Sequence, residues 1–254
     1  MTNPAFTAGG VFLLLCSAVI LGMCLGARLP QHHMSKSTKD AVRIGMGSVA
    51  TMAALVLGLL VASAKGTYDT QKAAVIELSA KIVCLDHLLE NYGPDASRCR
   101  VLLTSAARSA LYRLWSETNV NHDEPPPSTL WGRELPLAIQ ELDPRSDSQR
   151  TFKSQAAELV KELGQMRWLL YEQAESSIST PMLVVMVFWL ALTFISVGLF
   201  APANATAVLA QVLGALSVAG AIFLILELDH SFSGFIRISS APMLNALAQL
   251  VVSP

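Results

Sequence analysis

The chain has 254 residues, of which 52% are hydrophobic and only 15% charged, and its net charge is −1. A typical soluble domain is nearer about 25% charged, so this balance argues for a membrane protein. With no basic excess, the electrostatic basis for nucleic-acid binding is absent.

Residues 1–27 carry no charge, and residues 8–27 are long and apolar enough to span a bilayer. A cleaved signal peptide would carry a basic residue before a shorter apolar run. The pattern therefore predicts a first transmembrane helix. Within it, Gly22 and Gly26 form a small-xxx-small pair that lets another helix approach closely. Cys16 and Cys24 lie in the same apolar block and read as small hydrophobes.

Residues 28–43 are a basic connection with Arg28, Lys36, Lys39 and Arg43 against a single Asp40. Pro30 closes the preceding helix, because proline cannot continue the backbone ladder. His32-His33 reads as two solvated histidines, since adjacent loop side chains do not converge on a metal without further ligands.

Residues 44–64 form the second predicted membrane helix, bounded by Arg43 and Lys65. Gly47, Thr51, Ala54, Gly58 and Ala62 recur at steps of three or four and share one helical face. Two readings of that stripe are open: tight helix packing in lipid, or the lining of a pore.

Composition changes at Lys65. Residues 65–177 hold 13 Lys/Arg and 16 Asp/Glu, a net of −3, and predict an extramembrane helical bundle. Helix-like apolar faces run through residues 70–91, 99–114 and 146–176, with a poorer helix over 130–142 interrupted by Pro136. Gly93-Pro94-Asp95 marks a turn with Asp95 as a helix cap. Cys84 and Cys99 flank that turn, and their pairing is open. Only Gly66 interrupts the path from the second membrane helix, and only Pro181 separates the bundle from the third. Long helices running through these junctions are expected, not a domain on a flexible tether.

Residues 182–201 and 205–226 are apolar blocks of membrane-spanning length separated by Pro202-Ala203-Asn204, which predicts a hairpin over 178–228. The segment 229–254 is a turn followed by a short, mostly apolar helix, either interfacial or packed on the bundle. Four spans put both termini on the side of the bundle. The positive-inside rule gives no orientation, because Lys65, Lys72, Lys161 and Arg167 offset the basic connection.

Glu227 and Asp229 are acids at a helix carboxyl end, unfavourable by about 0.3–1 kcal/mol each. They also border hydrocarbon, where an unpaired charge costs about 2.5–3.5 kcal/mol at mid-membrane. Lys65 and Arg237 are the nearest cations by sequence. The cluster is either an ion-pair anchor or a charged ring at a pore mouth. Enzyme signatures are missing: there is no zinc-protease helix motif, no Cys-x-x-Cys, no phosphate-binding glycine loop and no nucleophile elbow. Asp86-His87 is no dyad, since adjacent helical side chains diverge, and His122-Asp123-Glu124 reads as solvated loop charge. No cofactor and no metal are expected.

Leu226-Glu227-Leu228-Asp229-His230-Ser231-Phe232-Ser233-Gly234-Phe235-Ile236-Arg237-Ile238-Ser239 resembles the C-terminal signature of bacterial membrane proteins labelled bestrophin-like. The stretch 50–65, ending Leu57-Gly58-Leu59-Leu60-Val61-Ala62-Ser63-Ala64-Lys65, is similar to that family's second-helix motif, and Asn91-Tyr92-Gly93-Pro94 also fits. The resemblance covers nearly the whole chain. It implies kinship with bestrophins, pentameric anion channels with long helices extending from the membrane. It further implies a multi-pass protein of the bacterial inner (cytoplasmic) membrane, a homo-oligomer in contact with the lipid bilayer, and inorganic ions as partners. Two departures stand out. Ser231 occupies a position where the family carries proline, which predicts a looser turn, and no acidic calcium clasp follows the Phe.

The expectation is an all-α membrane protein with four transmembrane helices and an extramembrane helical bundle. Its function is expected to be that of an oligomeric ion channel, with a non-conducting scaffold or sensor as the rival.

Overall fold

A computed structural model describes residues 3–29, 36–115, 133–173, 180–202 and 204–252. In chain order the helices are α1 (Pro4–Arg28), α2 (Lys36–Tyr92), α3 (Ser97–Trp115), α4 (Leu135–Gln140), α5 (Asp147–Gln173), α6 (Thr180–Phe200), α7 (Ala205–Asp229) and α8 (Ala241–Val252). Among the described residues there is no strand. Four of the helices are long and apolar enough to cross a membrane: α1, α2, α6 and α7. The chain divides into two compact units, Met1–Thr67 with Ser176–Asp229, and Tyr68–Glu175 with His230–Pro254.

The first unit holds the apolar helices. Asn3 starts α1 by accepting a hydrogen bond from the Ala5 amide at 3.1 Å, and Pro4 occupies the first turn, where its missing N–H costs nothing. The helix ends at Leu29, which is extended, as a residue ahead of proline prefers. Asn204 caps α7 in the same way as Asn3, accepting from the Ala207 amide at 2.9 Å. A core of Leu15, Ala53, Met186, Ala215, Ile222 and Ile225 joins these helices. α1 packs against both α6 and α7, and Phe194 of α6 reaches within 3.7 Å of where a side chain on Gly214 of α7 would begin.

The Gly22–Gly26 pair does what its spacing predicts, and its partner is α6. A methyl group on Gly26 would lie 2.5 Å from the Leu199 carbonyl oxygen, and one on Gly198 would lie 2.5 Å from that of Val19. Gly22 faces the Ile195 carbonyl still more closely. Backbone meets backbone here, so these three positions admit glycine alone.

The second unit is a water-type bundle with a core running through Leu78, Ile82, Leu85, Leu103, Ile139 and Leu163. α2 enters it without a break, as the lone Gly66 suggested; the path from α5 into α6 passes through 174–179, outside the described residues. Gly93, at φ 110°, ends α2 by a backbone conformation other residues avoid. Pro94–Ala96 then form a 3-10 turn. Asp95 lies inside that turn instead of capping α3, and its carboxylate stands 3.9 Å from Arg145. Pro136 was expected to interrupt a helix over 130–142; residues 133–134 are π-helical and give way to α4 at Leu135, so Pro136 stands just past the change of winding, in the first turn of α4, where proline is tolerated. Lys153 closes α4 by donating to the carbonyls of Gln140 and Leu142 at 2.8 and 2.7 Å. α8 packs on the bundle against α3, with Met243, Ala246 and Leu250 buried. Cys84 and Cys99 are both free thiols, the first exposed and the second buried. His32, His33 and the 122–124 triplet fall outside the described residues.

Candidate functional site

In the membrane-spanning part of α2, Ala53, Leu60 and Ala64 are buried against the first unit's core. At about 100° per residue these three lie within about 20° of one direction. Gly47, Thr51, Ala54, Gly58 and Ala62 point about 140° away from it, and all five are exposed. Nothing lies within 4 Å of a side chain built on Gly47 or Gly58. Among the described residues nothing packs against Gly47 or Gly58, whereas the α1–α6 glycines meet backbone. Thr51 turns its hydroxyl inward to donate to the Gly47 carbonyl at 2.9 Å, which leaves its methyl on the surface. The bulky residues Ile44, Met52, Leu55 and Leu59 are also exposed; Ile44 and Leu55 share the direction of Ala62, and Met52 and Leu59 lie beside it.

At the other end of the first unit, Glu227 and Asp229 are buried, at 3% and 6% exposure, on the last turn of α7. Neither acid is without a partner, as burial of a carboxylate requires. Lys65 is exposed and directly follows Ala64, a member of the same core as Ile225 of α7. Arg237 is exposed and belongs to the second unit.

The turn after α7 is closed, not loose. Ser231 is 2% exposed, and its carbonyl accepts from the Ile238 amide at 2.7 Å. Gly234, at φ 84°, makes the reversal, and Phe232 meets Trp115 edge-on. A proline supplies a fixed φ, but this loop obtains its rigidity from the Ser231–Ile238 bond instead.

Three polar features escaped the sequence reading. Asp86 receives both Nε and a terminal nitrogen of Arg100, at 2.8 and 3.0 Å, while His87 is exposed. This pairing raises the Arg100 guanidinium above its ordinary pKa against the opposing effect of burial. Its signal was the spacing of an acid and a base on the faces of two adjoining amphipathic helices. Trp115, whose indole donates to the Ile238 carbonyl, gave no signal. Gln211, a lone amide in an apolar block, is 8% exposed, and its Oε1 has no hydrogen-bond partner among the described residues. No group of three or more metal-ligating side chains occurs among the described residues.

The model of the bestrophin-like domain family matches residues 13–243 of the chain. Among solved structures, the fold is similar to that of a bacterial bestrophin homologue from Klebsiella pneumoniae carrying a mutation, with a TM-score of 0.69 and 12% identity. That match covers 95% of this chain and 99% of the other. No curated protein matches the sequence.

Proposed function

Because the chain belongs to the bestrophin-like family, we propose that it assembles as an oligomeric channel conducting ions across the bacterial inner membrane. The observation that carries this reading is the uncovered small-residue face of α2. Gly47, Thr51, Ala54, Gly58 and Ala62 sit on a membrane-spanning helix whose opposite side is committed to the core. Copies arranged around an axis would turn those faces to a shared path, wide because the side chains are small. Glu227 and Asp229 stand at one mouth. Their burial suits fixing the end of α7 better than touching a passing ion.

Purified protein in liposomes is expected to pass small inorganic ions, and Thr51→Val or Gly58→Leu to change conductance or selectivity. A stable oligomer that passes no ion at any salt or pH would leave a scaffold or sensor role. That second reading is favoured by α3, where Val101 and Tyr112 are 66% and 69% exposed on a helix outside the apolar spans.

A further inference from the structure

A groove of about 810 Å³ opens on the second unit along one side of α5, floored by Gly164 and walled by Val160, Trp168 and Leu169. The rim on the far side comes from Pro136 and Gln140 of α4. Residues 157, 160, 161, 164, 165 and 168 recur at helical spacing, so the groove follows the axis of α5 and is elongated. Its surface is mostly apolar. Trp168 and Leu169 are each 56% exposed there, a costly arrangement for a water-facing helix unless something covers them.

Among the described residues the charged members of the lining are Lys161 and Arg167, beside the neutral Gln140 and Gln165. Arg167 is 7% exposed and has partners of its own, so it is already engaged within the wall. Lys161 is exposed and stands at the edge, where an ammonium group can meet an anionic head. The floor is open: no atom of the described residues lies within 4 Å of a side chain built on Gly164, so that glycine leaves room that a larger residue would fill.

We infer that this groove binds a free single-chain amphiphile with an anionic head, of the long-chain fatty acid class. Its chain would lie along α5 over Gly164 against Trp168 and Leu169, and its carboxylate would be held at Lys161. The volume falls in the range of about 300–1,000 Å³ that suits small-ligand sites. The apolar lining takes the hydrocarbon, and Lys161 takes the head. The site lies on the bundle and does not depend on whether the protein conducts.

The test uses the full-length protein in lipid nanodiscs and a bromine-labelled stearate, which quenches tryptophan on contact. Quenching should saturate, and the component removed by Trp168→Phe should account for it. Gly164→Leu should abolish that component while leaving the melting temperature unchanged, since the added side chain enters open space. Lys161→Glu should weaken binding by about fivefold, the effect of losing one exposed ion pair. Three results would overturn the inference: no saturable Trp168 quenching, unchanged binding in Gly164→Leu, or quenching of Trp168 by brominated phospholipid in the disc. The last would mean that bilayer lipid, not a free amphiphile, covers the groove. Trp168 already shielded by a second copy in the assembled protein would appear as the first.

Discussion

The indole nitrogen of Trp115 donates to the carbonyl of Ile238 at 2.7 Å, while the ring meets Phe232 edge-on at 5.6 Å. One side chain at the end of α3 thereby holds the turn that follows α7. Trp115→Phe keeps the ring contact and removes the hydrogen bond, a loss of about 0.5–1.5 kcal/mol. Trp115→Ala also removes the edge-to-face contact, worth a further ~0.5–1.5 kcal/mol. Faster hydrogen exchange at the Ile238 amide, graded Ala over Phe over wild type, is the expected readout.

Glycines of the membrane unit divide into two kinds. Gly198→Ala drives a methyl group into the Val19 carbonyl and should cost about 1–3 kcal/mol or more, seen as a lower melting temperature in detergent. Gly58→Ala meets nothing, and the better helix propensity of alanine should leave stability equal or raise it by up to ~1 kcal/mol. Equal damage from the two would contradict the assignment of the tight contact to α1 and α6.

Asp86 and Arg100 form a largely buried pair, with side chains 4% and 18% exposed. Removing one partner strands a charge, so Asp86→Ala or Arg100→Ala should each destabilise by about 3–5 kcal/mol. The double variant Asp86→Leu/Arg100→Met should recover most of that loss in chemical denaturation, because it leaves no unpaired charge.

Burial pushes the Cys99 thiol above its ordinary value of 9.0. The folded chain therefore holds this proton more tightly than the unfolded one does. Its contribution is fully present below about pH 9 and is lost as pH rises through the folded value. Cys99→Ala should flatten that alkaline decline in stability. At pH 8 a maleimide should label exposed Cys84 in the native protein and reach Cys99 only after unfolding.

Span length and charge placement made the four membrane helices and the bundle legible, because hydrocarbon thickness and the cost of buried charge are coarse constraints. The single Gly66 likewise announced that α2 would run on. Which face of α2 turns inward was not legible. Ala53, Leu60 and Ala64 on the buried side are no more apolar than Leu55, Leu59 and Ala62 on the outer one. In lipid both sides are hydrophobic, so amphipathic periodicity carries little information. The Gly22–Gly26 motif foretold a close neighbour without saying that α6 would supply it. Pro136 marked the change of winding between residues 133–134 and α4, because its ring and missing N–H disturb the helical ladder before it. The closed turn at Ser231 hid in backbone hydrogen bonds, which no residue type encodes.

The unbroken ladder of α2, from Lys36 to Tyr92, makes its length a fixed quantity. One residue inserted beside Gly66 would rotate everything beyond it by about 100° and shift it by about 1.5 Å. An insertion between Ala53 and Leu60, or between Ile82 and Leu85, would by the same rotation carry one member of the pair out of its own core. Relatives of this chain should therefore keep the number of residues within each of those two stretches.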